Sequence, residues 1–218
     1  MPTSGFARWA ALGGAVFVIL WVTAYLILGG TVESGNSDAE ISAYFADEGR
    51  RNRAFITMFL ILVASLPFLA FISALRGRLE RGEGGAGVWT MAAFGAGLVS
   101  TALWVVAAVL YVLPSLDADP EVGFQLDIDA FRLLSDAGFI VWYSAGMIMS
   151  VLVLATSVLG IRARVIPRWL SWIGFAVALS LLAAFLVIPV IVMLAWLLVV
   201  SIALVWRRDA SEAPAAAA

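Results

Sequence analysis

Long apolar runs separated by short polar segments dominate the pattern of this chain. An uninterrupted apolar run of about 18 residues or more is typical of a helix that crosses a membrane. The first run is longer than the core of a signal peptide, which favours a retained span. The pattern therefore predicts an all-α, polytopic transmembrane helical bundle of six spans, at about 9–28, 54–75, 88–113, 138–161, 169–187 and 190–206.

The last apolar run, from Trp169 to Trp206, contains no charged residue over 38 positions. A single helix of that length would be about 57 Å long, whereas the hydrocarbon core of a bilayer is about 30 Å thick. Pro189 lies near the middle of the run and disfavours an uninterrupted helix. We interpret the run as a tight two-span hairpin with its outer turn at Ile188–Val190. The alternative is one kinked element and five spans in total.

The arginines are distributed unevenly over the segments between the predicted spans. With a cytoplasmic N-terminus, six spans place nine Arg on the cytoplasmic side and four outside. Five spans would move Arg207 and Arg208 outside and leave seven against six. Because cytoplasmic loops carry the excess of basic residues, the distribution favours six spans with both termini cytoplasmic. The chain is then one transmembrane domain, 1–208, followed by a disordered Ala-rich tail, 209–218.

Two acidic segments precede spans 2 and 4, and each contains an amphipathic pattern. In the first, Ser37 is followed by Glu40 at capping-box spacing, and Ile41, Tyr44 and Phe45 share one helical face. The second, 127–139, has a similar apolar stripe and runs into span 4. Both segments are predicted to be surface helices over the outer end of the bundle.

Composition agrees with a membrane protein and removes several kinds of chemistry. Hydrophobic residues make up 63% of the chain and charged residues only 13%, too apolar for a soluble domain. The chain has no Cys and no His, and all 13 basic residues are Arg, which excludes disulfides, imidazole-ligated metals and Lys-dependent catalysis. We predict no cofactor, and a net charge of −2 gives no reason to expect a nucleic-acid partner.

The predicted spans contain no Asp, Glu, Arg or Lys. Proton relays and most ion-coupled transporters mark their pathway with such groups, so the sequence disfavours these classes. Small residues recur at four-residue spacing in span 3, from Ala92 to Ser100 and from Ala93 to Thr101, which is typical of close helix packing, more often within one chain.

Six residues are candidates for a binding cleft at the outer face. Three of them are charged residues just before span 4, with the i, i+3 and i, i+4 spacing that joins side chains along one helical face. The other three are aromatic residues within the spans that are suited to contact an apolar ligand. A surface salt-bridge ladder and ordinary core packing are the alternative interpretations. The candidates are Asp129, Arg132, Asp136, Trp104, Tyr143 and Trp196. We predict no catalytic or metal-binding residues.

Four stretches carry a resemblance to a known family: SDAEISAYFADEGRRNRAF, SALRGRL, PRWLSWIGF and WLLVVSIALVWRR. They are similar to small multi-spanning membrane proteins of high-GC actinobacteria. The resemblance implies a bacterial plasma membrane and a six-span bundle. That family has no assigned activity, so the resemblance implies no functional residues.

Two functional hypotheses follow. The first is a non-catalytic partner or structural subunit in the bacterial plasma membrane, because no catalytic set and no charged residue lies within the spans. The alternative is a small permease or binder for an apolar or lipid-like molecule, in a cleft near Trp104, Tyr143 and Trp196. The predicted partners are the lipid bilayer and either another membrane protein or a second copy of this chain.

Overall fold

The computed structural model describes residues 4–85, 87–117 and 127–206, and these residues form helices and turns without any strand. The predicted all-α bundle is confirmed. The helices are α1 (Ser4–Leu28), α2 (Asp38–Ala46), α3 (Glu48–Glu83), α4 (Val88–Asp117), α5 (Ile128–Arg162), α6 (Arg168–Ser180) and α7 (Val187–Trp206), with a 3₁₀ turn at Leu181–Ala183 between the last two. The predicted tail, 209–218, lies outside the described residues.

Five of the described helices, α1, α3, α4, α5 and α7, are long and apolar enough to cross a membrane. The chain is thus a multi-pass membrane protein. The sixth element, α6 with its 3₁₀ turn, is shorter at Arg168–Ala183 and covers about 26 Å. That length is close to the thickness of the hydrocarbon core, and the six-span topology remains a prediction.

The hairpin turn lies earlier in the chain than predicted. The amide N–H of Ala184 donates to the Leu181 carbonyl at 3.1 Å, and that of Leu186 donates to Ala183 at 3.0 Å. α7 then begins at Val187, so Pro189 lies in its first turn. The prediction of an outer turn at Pro189 is wrong. The first four N–H groups of a helix have no intrahelical partner, so a proline there removes no hydrogen bond.

Six helices close into a ring, and α2 lies outside it. Around the ring, α1 packs on α3, α3 on α4, α4 on α5, α5 on α6, α6 on α7, and α7 back on α1. The Ser201 hydroxyl of α7 accepts from the Ala15 N–H at 3.1 Å and donates to the Ala11 carbonyl of α1. The end of α7 therefore lies beside the start of α1, as a bundle with both termini on one side requires.

Side chains fill the interior of the ring. Phe68, Phe71, Met149 and Leu152 are among the largest fully buried side chains, and they belong to one continuous core. Interiors packed in this way leave few voids larger than a water molecule. The ring is accordingly a packed bundle, and its core is occupied by the protein itself.

Glycines set the closest helix contacts. A Cβ on Gly13 of α1 would lie 2.1 Å from the Pro67 carbonyl oxygen of α3. A Cβ on Gly97 of α4 would lie 2.9 Å from Leu152 and 3.1 Å from Ile72. The small residues of α4 therefore pack against α3 and α5 of the same chain, as the four-residue spacing indicated.

Candidate outer-end cleft

α2 and the start of α5 form a cap at one end of the bundle. The arginine distribution predicts that this end faces outward, and we call it the outer end. Ser37 accepts from the Glu40 N–H, and the Glu40 carboxylate accepts from the Ser37 N–H at 2.9 Å, which confirms the capping box. The predicted second segment is also confirmed as helical, and it runs into span 4 within α5, as predicted.

The apolar face of α2 forms a small core with α5. Ile41, Tyr44 and Phe45 are buried there with Phe131. The Phe45 and Phe131 ring centroids are 5.3 Å apart in an edge-on arrangement, a favoured geometry for aromatic pairs. α2 is thus attached to the bundle through one face, as the i, i+3, i+4 spacing of its apolar residues predicted.

Two arginines form hydrogen bonds at the two ends of α2. Arg132 donates through Nε to the Ser34 carbonyl at 3.0 Å and through Nη2 to Asn36 at 3.1 Å and to Asp38 at 2.8 Å. Arg51, which is buried, donates through Nη1 to the Phe45 carbonyl at 2.7 Å. A guanidinium suits this role because its planar fork binds several oxygens at once. The loop before α2 and the last turn of α2 are therefore both fixed.

The predicted charged candidates separate in the structure. Asp129 is 3.8 Å from Arg132, but its side chain is 97% exposed, so the pair contributes little. Asp136 is also exposed. The residue that matters here, Arg132, acts across the chain on the segment before α2. Sequence spacing pointed only to neighbours on its own helix, and the long-range contact with Asp38 carried no local signal.

The aromatic candidates lie at different places in the bundle. Trp104 is buried against Phe17 and Trp21, with ring centroids 6.0 and 6.2 Å away. The Tyr143 hydroxyl donates to the Leu182 carbonyl at 3.0 Å, at the hairpin turn. Trp196 Nε1 donates to the Leu170 carbonyl at 3.0 Å. Leu170 lies in the first turn of α6, and Leu182 lies in the 3₁₀ turn that follows α6. Trp196 and Tyr143 therefore contact the backbone at the start of this element and just beyond its end, and they do not share a cleft.

A cleft of about 90 Å³ lies elsewhere, between the apolar face of α2 and the outer ends of α1, α3, α4 and α5. Its apolar walls include Leu28, Phe45, Ile61, Val112 and Phe131. None of the six predicted candidates lines it. The volume is below the roughly 300–1,000 Å³ of pockets that enclose a drug-sized ligand, so the cleft has room for part of one chain-like molecule.

Hydroxyl groups interrupt the apolar lining of the cleft at five positions: Thr31, Tyr44, Thr57, Tyr111 and Ser115. The Thr57 hydroxyl donates to the Ala24 carbonyl at 3.1 Å and so connects α3 to α1. An apolar lining with a few polar groups is typical of sites for small molecules in general.

Positive charge borders the cleft at the first turns of α3. Arg50 lies over the Tyr44 ring, with its guanidinium carbon 4.9 Å from the ring centroid. Burial raises the pKa of the Tyr44 phenol, while Arg50 and Arg53 act on it in the opposite direction. Both cations are therefore close enough to act on a side chain that lines the cleft. The sequence contains three arginines in this segment but does not indicate a cavity beside them. The structure relates them to the cleft through Tyr44, which lines it.

The described ranges contain no group of three or more His, Cys, Asp or Glu side chains arranged to hold a metal ion. The chain matches no protein-family model, no curated protein and no solved structure. The resemblance to small actinobacterial membrane proteins is therefore untested. The proposed function rests on the geometry of the chain alone.

Proposed function

We propose that this protein is a non-catalytic partner or structural subunit in the bacterial plasma membrane. The observation that carries this proposal is the closed ring whose interior is filled by side chains such as Phe68 and Met149. A solute has no continuous path through such a core. The bundle is then most useful as a rigid body that contacts other components through its surfaces.

Site-specific photo-crosslinking in membranes tests this proposal. A photoreactive amino acid is placed at exposed positions on different sides of the ring: Ile19 on α1, Leu66 on α3, Ile140 on α5 and Ile191 on α7. A partner subunit gives one discrete adduct of constant mass at positions on one side only. A chain that forms no protein adduct at any position and converts a substrate when purified would overturn the proposal.

The outer-end cleft favours a second candidate function, a binder for an apolar or lipid-like molecule. Its support is an apolar lining with five hydroxyl groups, continuous with the spans through Leu28, Ile61 and Val112. A photoreactive alkyl probe in vesicles should label the peptide 54–61, and Ala108→Phe should reduce this labelling because Ala108 lines the cleft. Equal labelling of peptides from every lipid-facing helix would count against a site.

A further inference from the structure

Three of the four outer arginines are concentrated at one place. Arg50, Arg51 and Arg53 lie in the first two turns of α3, at the end of the bundle that the charge distribution predicts to face outward. Basic residues are disfavoured on that side, and Arg51 is explained by its hydrogen bond to the Phe45 carbonyl. Arg50 and Arg53 do not have that structural role and call for another explanation.

Neither of these two arginines is fully occupied by a partner among the described residues. Arg50 approaches Asp47 at 3.7 Å, but both side chains are about half exposed, so the pair is weak. Arg53 is exposed and lies one turn before Thr57, which places it on the same face of α3 as a residue that lines the cleft. The two arginines are therefore neighbours of residues that line the cleft, Arg50 through the Tyr44 ring and Arg53 through its position one turn before Thr57.

An apolar cleft with arginines beside it suits a molecule that has both an alkyl chain and an anionic head group. An alkyl chain is stabilised in such a cleft because each buried CH₂ group leaves water. A carboxylate pairs well with guanidinium because two parallel hydrogen bonds form. The cleft of about 90 Å³ has room for a segment of one alkyl chain and not for two side by side.

We propose that the outer-end cleft binds a single-chain fatty acid, with its alkyl chain between α2 and the ends of α3 and α4. The carboxylate then lies at Arg53, with Arg50 beside it, and Tyr44, which lines the cleft and lies under Arg50, is the neighbouring aromatic residue. This inference rests on the second candidate function, because it assigns the class of molecule that the cleft binds.

The test uses the full chain in nanodiscs of zwitterionic phosphatidylcholine. A long-chain fatty acid with a photoreactive diazirine in mid-chain is the probe, and adducts are mapped by mass spectrometry. We expect adducts in 54–61 and 108–115 that unlabelled oleate competes away. Methyl oleate, which has the same chain without the charge, should compete about two- to five-fold more weakly, because a pair between a carboxylate and an exposed guanidinium is weak.

Variants separate the head group from the chain. Arg53→Gln is on the surface and should raise the apparent Kd for oleate about two- to five-fold, with no change for methyl oleate. Arg168→Gln, at the start of α6 and exposed, is the matched control and should leave both values unchanged. Ala108→Leu, which fills the cleft, should weaken both ligands equally.

Each other outcome overturns a defined part of the proposal. If oleate and methyl oleate compete equally and Arg53→Gln has no effect, the fatty-acid assignment fails while an apolar binding site remains. If phosphatidylglycerol competes as well as oleate, the occupant is an anionic phospholipid and the single-chain assignment fails. If no adduct forms in 54–61 or 108–115, the binding function of the cleft fails as well.

Discussion

Polar side chains inside the bundle contact the backbone of neighbouring helices. Thr57 donates to Ala24, Ser100 donates to Ala145 at 2.9 Å, and Trp196 donates to Leu170. In hydrocarbon an unpaired polar group has no water to replace its partner, so each contact joins two helices and satisfies a donor. The buried hydroxyl of Thr156 has no such partner.

This difference predicts opposite effects for two substitutions of the same type. Thr156→Val removes an unpaired hydroxyl with little change in volume and should leave the thermal midpoint unchanged or raise it. Thr57→Val removes the bond to Ala24 and should lower the free energy of unfolding by about 0.5–1.5 kcal/mol. Thermal unfolding in one detergent, followed by tryptophan fluorescence, measures both. Equal destabilisation by the two variants would contradict the contacts.

Gly13 should be among the least replaceable residues of α1. Gly13→Ala puts a methyl group against the Pro67 carbonyl, 2.1 Å from its oxygen, and backbone at that distance must shift. We expect a loss of about 2 kcal/mol or more, in the range of overpacked cores. Gly95→Ala on α4, with no atom within 4 Å of its Cβ, is the control and should be neutral or slightly stabilising. Thermal unfolding compares them.

Periodicity and length in the sequence predicted those features of the helices that depend on residues close together in the chain. The apolar face of α2 and its capping box are local features, and both are confirmed. The outer turn was wrongly predicted at Pro189 because a proline breaks a helix only in its interior, whereas Pro189 lies in the first turn of α7. The contact of Arg132 with Asp38, and the cleft beside Arg53, depend on helices distant in sequence. Their positions follow from packing, which a single sequence does not specify.

The capping box gives α2 a pH dependence. Hydrogen bonds from the Ser37 backbone and side chain lower the pKa of Glu40 below its ordinary value. The stabilisation by the Glu40 carboxylate is therefore complete above that ordinary value and is lost as the pH falls through the lowered one. The protection of peptide 38–46 against hydrogen exchange, relative to the intrinsic exchange rate at each pH, should therefore be lower at acid pH. Glu40→Gln, which still caps the helix, should flatten this dependence, whereas Ser37→Ala should lower the protection at every pH. A wild-type protection factor that does not vary with pH would contradict the assignment.

The whole molecule is a closed ring with a cap at one end, and its basic and acidic residues are concentrated at opposite ends of the bundle. In the described residues, the segments at the ends of α3 and α5 and the start of α6 contain six Arg and two Glu, at 76–83 and 162–168. The opposite end contains most of the acids, including Asp38, Glu40 and Asp47. The arginine part of this asymmetry predicts the orientation of the bundle in a membrane, and that orientation would place the cleft in the outer leaflet. Access to the cleft is then from the outside or from that leaflet.

Topology is directly testable because the chain contains no cysteine. Single cysteines at Gly35 and Gly84, both exposed and without any atom near a Cβ, report the two ends of the bundle. Gly84 caps α3 with a φ of 84°, so a cysteine there costs some stability at the helix end but meets no clash. A third at Leu186, which is 51% exposed, reports the hairpin turn. A membrane-impermeant maleimide on intact cells should label positions 35 and 186 and spare 84, which becomes reactive only after lysis.

Because α6 with its turn spans only about 26 Å, the cysteine at 186 decides between a complete sixth span and a hairpin that ends within the membrane. Failure to label it from either side, with 35 still labelled, would exclude the six-span topology. Labelling of 84 on intact cells would reverse the orientation and move the cleft to the cytoplasmic leaflet.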